Sequence, residues 1–574
     1  MKIIEIVKSL LPKGTDGSAF RLELDEWVPA KKNVDRCPIW PPDIFAVTGT
    51  LIERSGCYTE AGPRRSDPAS HRQYLTDIAK LVGGWAGRPE GLFAVPPKIQ
   101  ALWTSVIQTH GGLDITEVIS NPKLVDDLIF LFCAADEACM GMGWDTQVGK
   151  NYFADLALAS FVNVARIPKG VPQLPYSPNS LCALVPPSAV IVMPKTLTAT
   201  VGCTIRSLSH HMALLPGISQ CSPTWTLTNE SEVTSSYKPI RLLIIPFPFN
   251  IPADSFSITE DPVHLLNGTH TAAYFGLEGK WLKPKGKTLT AAMLFGQLIN
   301  PLLEQANAMT ATPVTGVVLP ECALSDKLAS GLAKLLGKTG VSFFTTGVLS
   351  KVPSSSKVRN VAKTFVLHKK AAPHLLEQFK HHRWRLDRKQ CDEYGLDFHW
   401  LSTAEKWWED IDVSNRQLPF FAVRKNMSMT VLICEDLARN DPAMSVVRAV
   451  GPNLVIALLM DGPQLNGRWP SKYATVLGED PGSGVLSVTC AGMMDRSNDN
   501  WTGAKRRVVG LWRSEDTPAK EIELPDGHHG VVLHINSRKV EQHTLDTRTD
   551  EFGSRKLSLS KQVSLKLADV PKWL

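Results

Sequence analysis

The chain has 574 residues, 43% hydrophobic and 21% charged, which is the composition of an ordinary globular protein too long for a single core, so two or three domains are expected. Its net charge of +6 is mild at this length and permits an anionic ligand or nucleic acid without arguing for either. Eleven cysteines without paired spacing exclude a zinc ribbon or a disulfide framework, and no apolar run approaches the roughly 20 residues of a membrane helix, so a reduced, cytoplasmic setting is expected.

In chain order, residues 1–180 read as a mainly helical N-terminal domain. Glu5 and Lys8 interrupt the apolar start and make it a poor signal peptide. The stretches DRCPIWPPDIFAVTG and RPEGLFAVPPK, rich in Pro and Gly, are expected to break the chain into short elements. HRQYLTDIAKLVGGW and NPKLVDDLIFLFCAADEACMGMGW have helical apolar spacing. SAVIVMPKTLTATVGCTIRSLSHHMALL predicts a strand, a loop and a helix, with His210 and His211 on different sides of that helix rather than on a metal. From residue 239 the texture changes. RLLIIPFPF is a short buried-strand pattern, and the amphipathic AAMLFGQLINPLLEQANAM, the strand GVVLPECAL, the helix DKLASGLAKLLG and the strand VSFFTTGVL follow it. Further strands are expected in NVAKTFVLH, SMTVLIC, NLVIALLM, GVLSVTCAG, RRVVGLW and GVVLHI. This alternation indicates an α/β domain over 239–574, and so many strands call for two packed sheets with helices outside.

Three segments stand out, each at an expected strand end: Glu321 after the apolar run of GVVLPECAL, Lys380 at the head of the polar and aromatic cluster in EQFKHHRWRLD, and Cys434 in LICEDLA. Singly, each has an ordinary reading as a turn, a solvated basic surface or a buried thiol. Lys369 and Lys370 compete for the lysine position. Together the three supply complementary parts. A thiol with a pKa of about 8.5 needs a base or a positive field. A carboxylate can take its proton, a helix starting near Asp436 offers backbone N–H groups, and an ammonium can stabilise an oxyanion by about 3 kcal/mol per donor.

The order of Pro-Glu after a strand, Lys-His-His, and a strand ending in Cys-Glu-Asp resembles the nitrilase, or carbon–nitrogen hydrolase, superfamily over residues 240–548. The resemblance implies a four-layer α-β-β-α sandwich, with Glu321 as general base, Lys380 as oxyanion stabiliser and Cys434 as nucleophile. It implies no metal or organic cofactor, a small amide or nitrile substrate, and a homo-oligomer. Many members carry a second glutamate after the lysine, for which Asp387 and Glu393 are the candidates here. TAEKWWEDIDVSNRQLPF reads as an insertion. Glu435, Asp461, Arg468 and Trp469 are candidate substrate-binding residues, as they follow or neighbour the Cys434 strand. KHHRWRLD, LICEDLARNDP and TVGCTIRSLSHH also look like bacterial nitrilase-like domains that are sometimes fused to reverse transcriptases. That likeness implies that residues 181–238 are a connecting segment associated with the hydrolase-like domain, and it suggests a role in phage defence. The rival expectation is a catalytically silent ligand-sensing or assembly module. Nucleic-acid binding by the basic region from RNVAKTFVLHKK to KHHRWRLDRK is the weakest expectation.

Overall fold

A computed structural model describes the chain except residues 16–19, 24–25, 30–32, 63–66, 87–94, 145–150, 152, 156, 158–175, 177, 200, 219–220, 228–237, 264–270, 353–356, 368, 370–371, 425, 501 and 551–552. Most of RPEGLFAVPPK, and Lys370, therefore lie outside the described residues.

Two large sheets pack face to face. Among the described residues the first has eight strands, in the order His374–Phe379, Val358–Val366, Phe343–Lys351, Gly316–Val318, Ile240–Ile244, Gly530–Val540 and Ser554–Leu565, with Leu324–Ser325 pairing beside Phe343–Lys351. The second runs Thr517–Glu523, Val508–Ser514, Gly484–Val488, Leu454–Leu458, Met427–Ile433, Gln417–Arg424 and Ser222–Leu227. The alternation of side chains along each strand sorts them into layers. Leu242, Ile244 and Val318 from the first sheet meet Val431, Ile433 and Ile456 from the second in one buried cluster. Their chain neighbours Leu243 and Val317 point the other way, onto the helix Asp326–Leu336, whose Leu328, Leu332 and Leu336 recur every four residues. On the far side Leu432, Val455 and Ala457 pack under the helices Ser445–Val450 and Trp469–Glu479. The result is an α/β, four-layer α-β-β-α sandwich, as expected.

The region before it is mainly helical. Contrary to expectation, PPDIFAVTG does not break the chain: it opens the fifteen-residue helix Pro41–Ser55. Pro41 and Pro42 occupy the first turn, where a missing N–H and a fixed φ suit helix initiation. The helix Pro122–Ala138 starts in the same way, with Asn121 accepting from the Leu124 N–H at 3.1 Å.

The segment around the two histidines is also not helical. Val190–Pro194 pairs antiparallel with Met212–Pro216, and His210 and His211 lead into the second strand. The buried carboxylate of Asp136 accepts the N–H groups of residues 210, 211 and 212 at 2.7, 3.0 and 3.0 Å, which holds this backbone extended. This hairpin is shared by two cores. Val190, Val192 and Met212 face the N-terminal helices, while Ile191, Met193, Ala213 and Leu215 face the helices of the second sheet. A strand covered on both sides shows a continuous apolar run, so its period is hidden. No helix among the described residues is long and apolar enough to cross a membrane.

Candidate active site

Glu321, Lys380 and Cys434 each follow a strand of the double sheet: Gly316–Val318, His374–Phe379 and Met427–Ile433. The Glu321 turn lies directly on the neighbouring strand. A Cβ on Gly347 would meet Glu321 Cα and Cys322 N at 2.4 Å, so only glycine allows the approach. Cys322 and Cys434 both have positive φ, +54° and +46°, a left-handed conformation that costs an L-residue about 1–2 kcal/mol. Each chain reverses sharply at its strand end and holds the side chain at that end.

Lys380 and Glu321 form a buried ion pair, Nζ to Oε1 at 2.9 Å, with the two side chains 1% and 2% exposed. A second carboxylate completes the arrangement. Glu409 Oε2 accepts from Lys380 Nζ at 2.6 Å and from the Trp384 N–H at 3.0 Å. Asn360 Nδ2 bridges the two acids, donating to Glu321 Oε1 at 2.7 Å and Glu409 Oε1 at 3.1 Å. Glu409 was not foreseen. It lies on the strand Lys406–Glu409, part of a small four-stranded sheet with Arg385–Asp387, Ala273–Leu277 and Phe256–Glu260. The stretch read as an insertion thus supplies a structural strand. Its KWWE alternation, exposed and buried in turn, was the available signal. Asp387 instead caps the helix Arg388–Tyr394 through Gln390 N, and Glu393 accepts from Ser497 Oγ at 2.9 Å. Neither contacts Lys380. Lys369 lies beside Gly340, away from this group.

The electrostatics follow from burial and partners. Burial raises the Glu321 carboxyl above the ordinary glutamate value, with Lys380 pulling it down and Glu409 adding to the rise. Burial disfavours the Lys380 ammonium, yet Glu321, Glu409 and Cys434 outweigh it and hold its pKa well above the usual lysine value. The Cys434 thiol is pushed well up, first by burial and next by Glu321, while Lys380 lowers it. Cys434 therefore rests as a thiol within the field of both groups. Glu321 Oε2 is buried and has no hydrogen-bond partner, which leaves one carboxylate oxygen able to accept a proton.

Asp436 joins the lysine and cysteine segments. Fully buried, it accepts from the His381 N–H at 3.1 Å, and from the His382 N–H and Nδ1 at 3.0 Å each. It is not the start of an α-helix. Cys434–Leu437 is a single 3-10 turn, and the helix Ser445–Val450 begins later, so the expected helix N-terminus is absent at Cys434. Replacing Asp436 by alanine strands these donors. Asp436→Ala is expected to lose at least about 2 kcal/mol of stability in urea unfolding, and to weaken whatever Cys434 and Lys380 do jointly.

No family model matches the chain, and no curated protein matches it. Among solved structures it is similar to Saccharomyces cerevisiae Nit3, a member of branch 10 of the nitrilase superfamily, with 13% identity over 50% of this chain and 86% of that one, at a TM-score of 0.30. It is similar to a glutamine-dependent NAD+ synthetase from Acinetobacter baumannii, with 12% identity over 57% and 49% of the two chains and a TM-score of 0.29. A CN-hydrolase superfamily protein from Xanthomonas campestris shares 14% identity over 44% and 76%, with a TM-score of 0.25. The chemistry has to be read from this chain's own side chains.

Of the remaining candidates, Asp461 and Glu435 both act on the charge of Cys434. Asp461 is buried and saturated: it accepts from Tyr394 Oη at 2.7 Å, Arg468 Nη2 at 2.9 Å and the Gly462 N–H at 2.8 Å. Arg468 is thereby turned towards Asp461. Glu435 pairs with Arg439 at 2.8 Å, and Trp469 heads its helix while packing against both neighbouring cores.

Proposed function

We infer that the chain is a cysteine-dependent hydrolase of non-peptide C–N bonds, a member of the nitrilase, or carbon–nitrogen hydrolase, superfamily. The observation that carries this reading is the buried Glu321–Lys380–Glu409 group at the strand ends, with one Glu321 oxygen unpartnered and Cys434 in its field. Glu321 Oε2 takes the thiol proton as the sulfur attacks an amide or nitrile carbon. Lys380, kept cationic by two carboxylates, faces the negative charge that develops on the attacked group. For an amide, Glu321 returns that proton to the nitrogen and the tetrahedral intermediate collapses to a thioester with loss of ammonia or an amine. For a nitrile, the thioimidate first adds one water and then loses ammonia to give the same thioester. Water activated by Glu321 then releases the acid and restores the thiol. Glu409 keeps Lys380 positioned and charged. The reading includes a small amide or nitrile substrate, a homo-oligomer, and a role in phage defence.

Intact-mass spectrometry with an electrophilic amide or nitrile probe tests it. In a Cys203→Ser background, which removes the exposed thiol, a single adduct on Cys434 is expected, and labelling spread over the buried cysteines of a well-folded protein would sink the reading. The pH dependence has a defined sign. Glu321 must be ionised to act, and its carboxyl is raised, so the acid limb of the adduct-formation rate is expected above the ordinary glutamate value of about 4.3.

A second reading draws on one observation: Cys434 is 3% exposed and sits in the intersheet core. A ligand-sensing or assembly module of the same fold would keep its biological activity in Cys434→Ala.

A further inference from the structure

A cleft of about 690 Å³ opens beside the group just described, lined among others by Cys221, Ser222, Lys357, Arg383, Asp412 and Arg416. Its wall is cationic. Among the described residues Asp412 is the one acid lining it, and Arg359 already holds it through Nε at 3.0 Å and Nη2 at 2.9 Å. Its carboxyl is correspondingly low, about 2, with Ser414 the leading cause and Arg359 contributing. Arg416 is exposed, and no carboxylate among the described residues pairs with it. Arg383 lies over the Tyr274 ring at 5.2 Å and donates from Nη1 to the Glu409 carbonyl at 2.9 Å, with Asp410 at 4.0 Å.

The cleft is at the same end of the sheets as Cys434. Arg416 immediately precedes the strand Gln417–Arg424, which runs antiparallel to the cysteine strand, so its start lies at the cysteine end. Ser222 starts the strand parallel to it, with Gln417 opposite Ser222. Arg383 follows Lys380 by three residues, and the residue whose carbonyl it binds, Glu409, holds Lys380 through its side chain. Two hydrogen bonds through the single residue Glu409 connect the cleft wall to the lysine.

We propose that this cleft binds the anionic end of the substrate, a carboxylate or phosphate carried on the same molecule whose C–N bond reaches Cys434. Arg416 and Arg383 are the guanidinium donors, which suit planar or tetrahedral oxyanions. Lys357 adds to the positive field. Residues 221 and 222, at the start of the double sheet's first strand in chain order, Ser222–Leu227, thereby contribute to substrate choice. The proposal rests on the hydrolase reading, and the test separates the two.

Full-length Cys434→Ala protein is titrated calorimetrically with glutarate and, separately, with inorganic phosphate, at low salt and at about 0.5 M NaCl. Saturable binding of at least one anion is expected. It should weaken about tenfold or more in the Cys434→Ala, Arg416→Ala double variant and recover in part with Arg416→Lys. The melting temperature should not change, since Arg416 is exposed. Glutarate alone or phosphate alone identifies the anion. Binding of neither, or equal binding after Arg416→Ala, overturns the proposal. So does tight, salt-sensitive binding of a single-stranded oligonucleotide when both small anions are silent. Arg416-dependent anion binding in a protein whose Cys434 resists every electrophile sinks the hydrolase and leaves an anion site. Labelled Cys434 with Arg416-independent binding sinks the cleft alone.

Discussion

Cys434→Ala is expected to lower kcat/KM on a responsive amide or nitrile by at least about 10⁴-fold, because no other atom in the group can form the covalent intermediate. The effect is chemical rather than structural. The residue ends a strand of the buried intersheet layer, and losing one sulfur there removes little volume. Far-UV circular dichroism and the melting temperature should hold while turnover disappears. Two other thiols lie in the field of the same glutamate. Cys322 follows Glu321 directly, and Cys490 is pushed up to about 12 chiefly by burial, with Glu321 adding to it. Burial and two carboxylates, Glu321 and Glu409, raise the Cys322 thiol ahead of any lowering by Lys380, and burial dominates at Cys490, so neither should rescue the variant. Cys203 is exposed and will take up reagent indiscriminately. In Cys203→Ser, background labelling should fall while turnover stays. Undiminished turnover in Cys434→Ala would end the enzymatic reading.

Arg548→Met is expected to destabilise the protein by about 3–5 kcal/mol, the range for breaking a buried ion pair from one side. Arg548 comes from the C-terminal part of the chain and is buried against the helix Pro122–Ala138. Its Nη1 reaches Asp136 at 3.0 Å and also pairs with Glu137, and its Nε reaches Asp546 at 3.0 Å. Removing it leaves three carboxylates without their shared cation at the contact between the helical region and the sandwich. Urea unfolding with probes in both regions measures the loss.

The same cluster sets the acid sensitivity of the wild type. Burial pushes the carboxyls of Glu137 and Asp546 up, but Arg548 and the surrounding donors win and hold both below their ordinary values. Their stabilisation is therefore complete above the unfolded carboxylate range, about 4, and is lost as pH falls through the folded values. His210 acts with the same sign at higher pH. Burial, with Arg548 next, lowers it from 6.5 to about 4, so the unfolded chain binds the extra proton first and stability declines as pH falls across that window. His211 opposes this, since burial pushes it down and Glu137 pushes it up by more. Its contribution is present below 6.5 and fades as pH rises through its folded value.

The strands of the sandwich were readable from residue order because a strand buried on both faces has to be a short continuous apolar run. RLLIIPFPF, SMTVLIC and NLVIALLM each occupy such a place. The positions of Glu321 and Cys434 at strand ends were readable for a related reason. An apolar run that stops on a single polar or reactive side chain marks where a strand leaves the core. Their partners were not readable. Glu409 is 29 residues from Lys380, and Asp436 is 55 from His381, and no helix or strand period connects such pairs. Local pattern also misled where tertiary contacts replaced it, as at His210 and His211, whose backbone is held extended by a carboxylate 74 residues away. Side-chain periodicity is a property of neighbours in the chain, so it determines elements and faces. Which acid meets which lysine depends on how the sheets stack, and only the packed chain decides that.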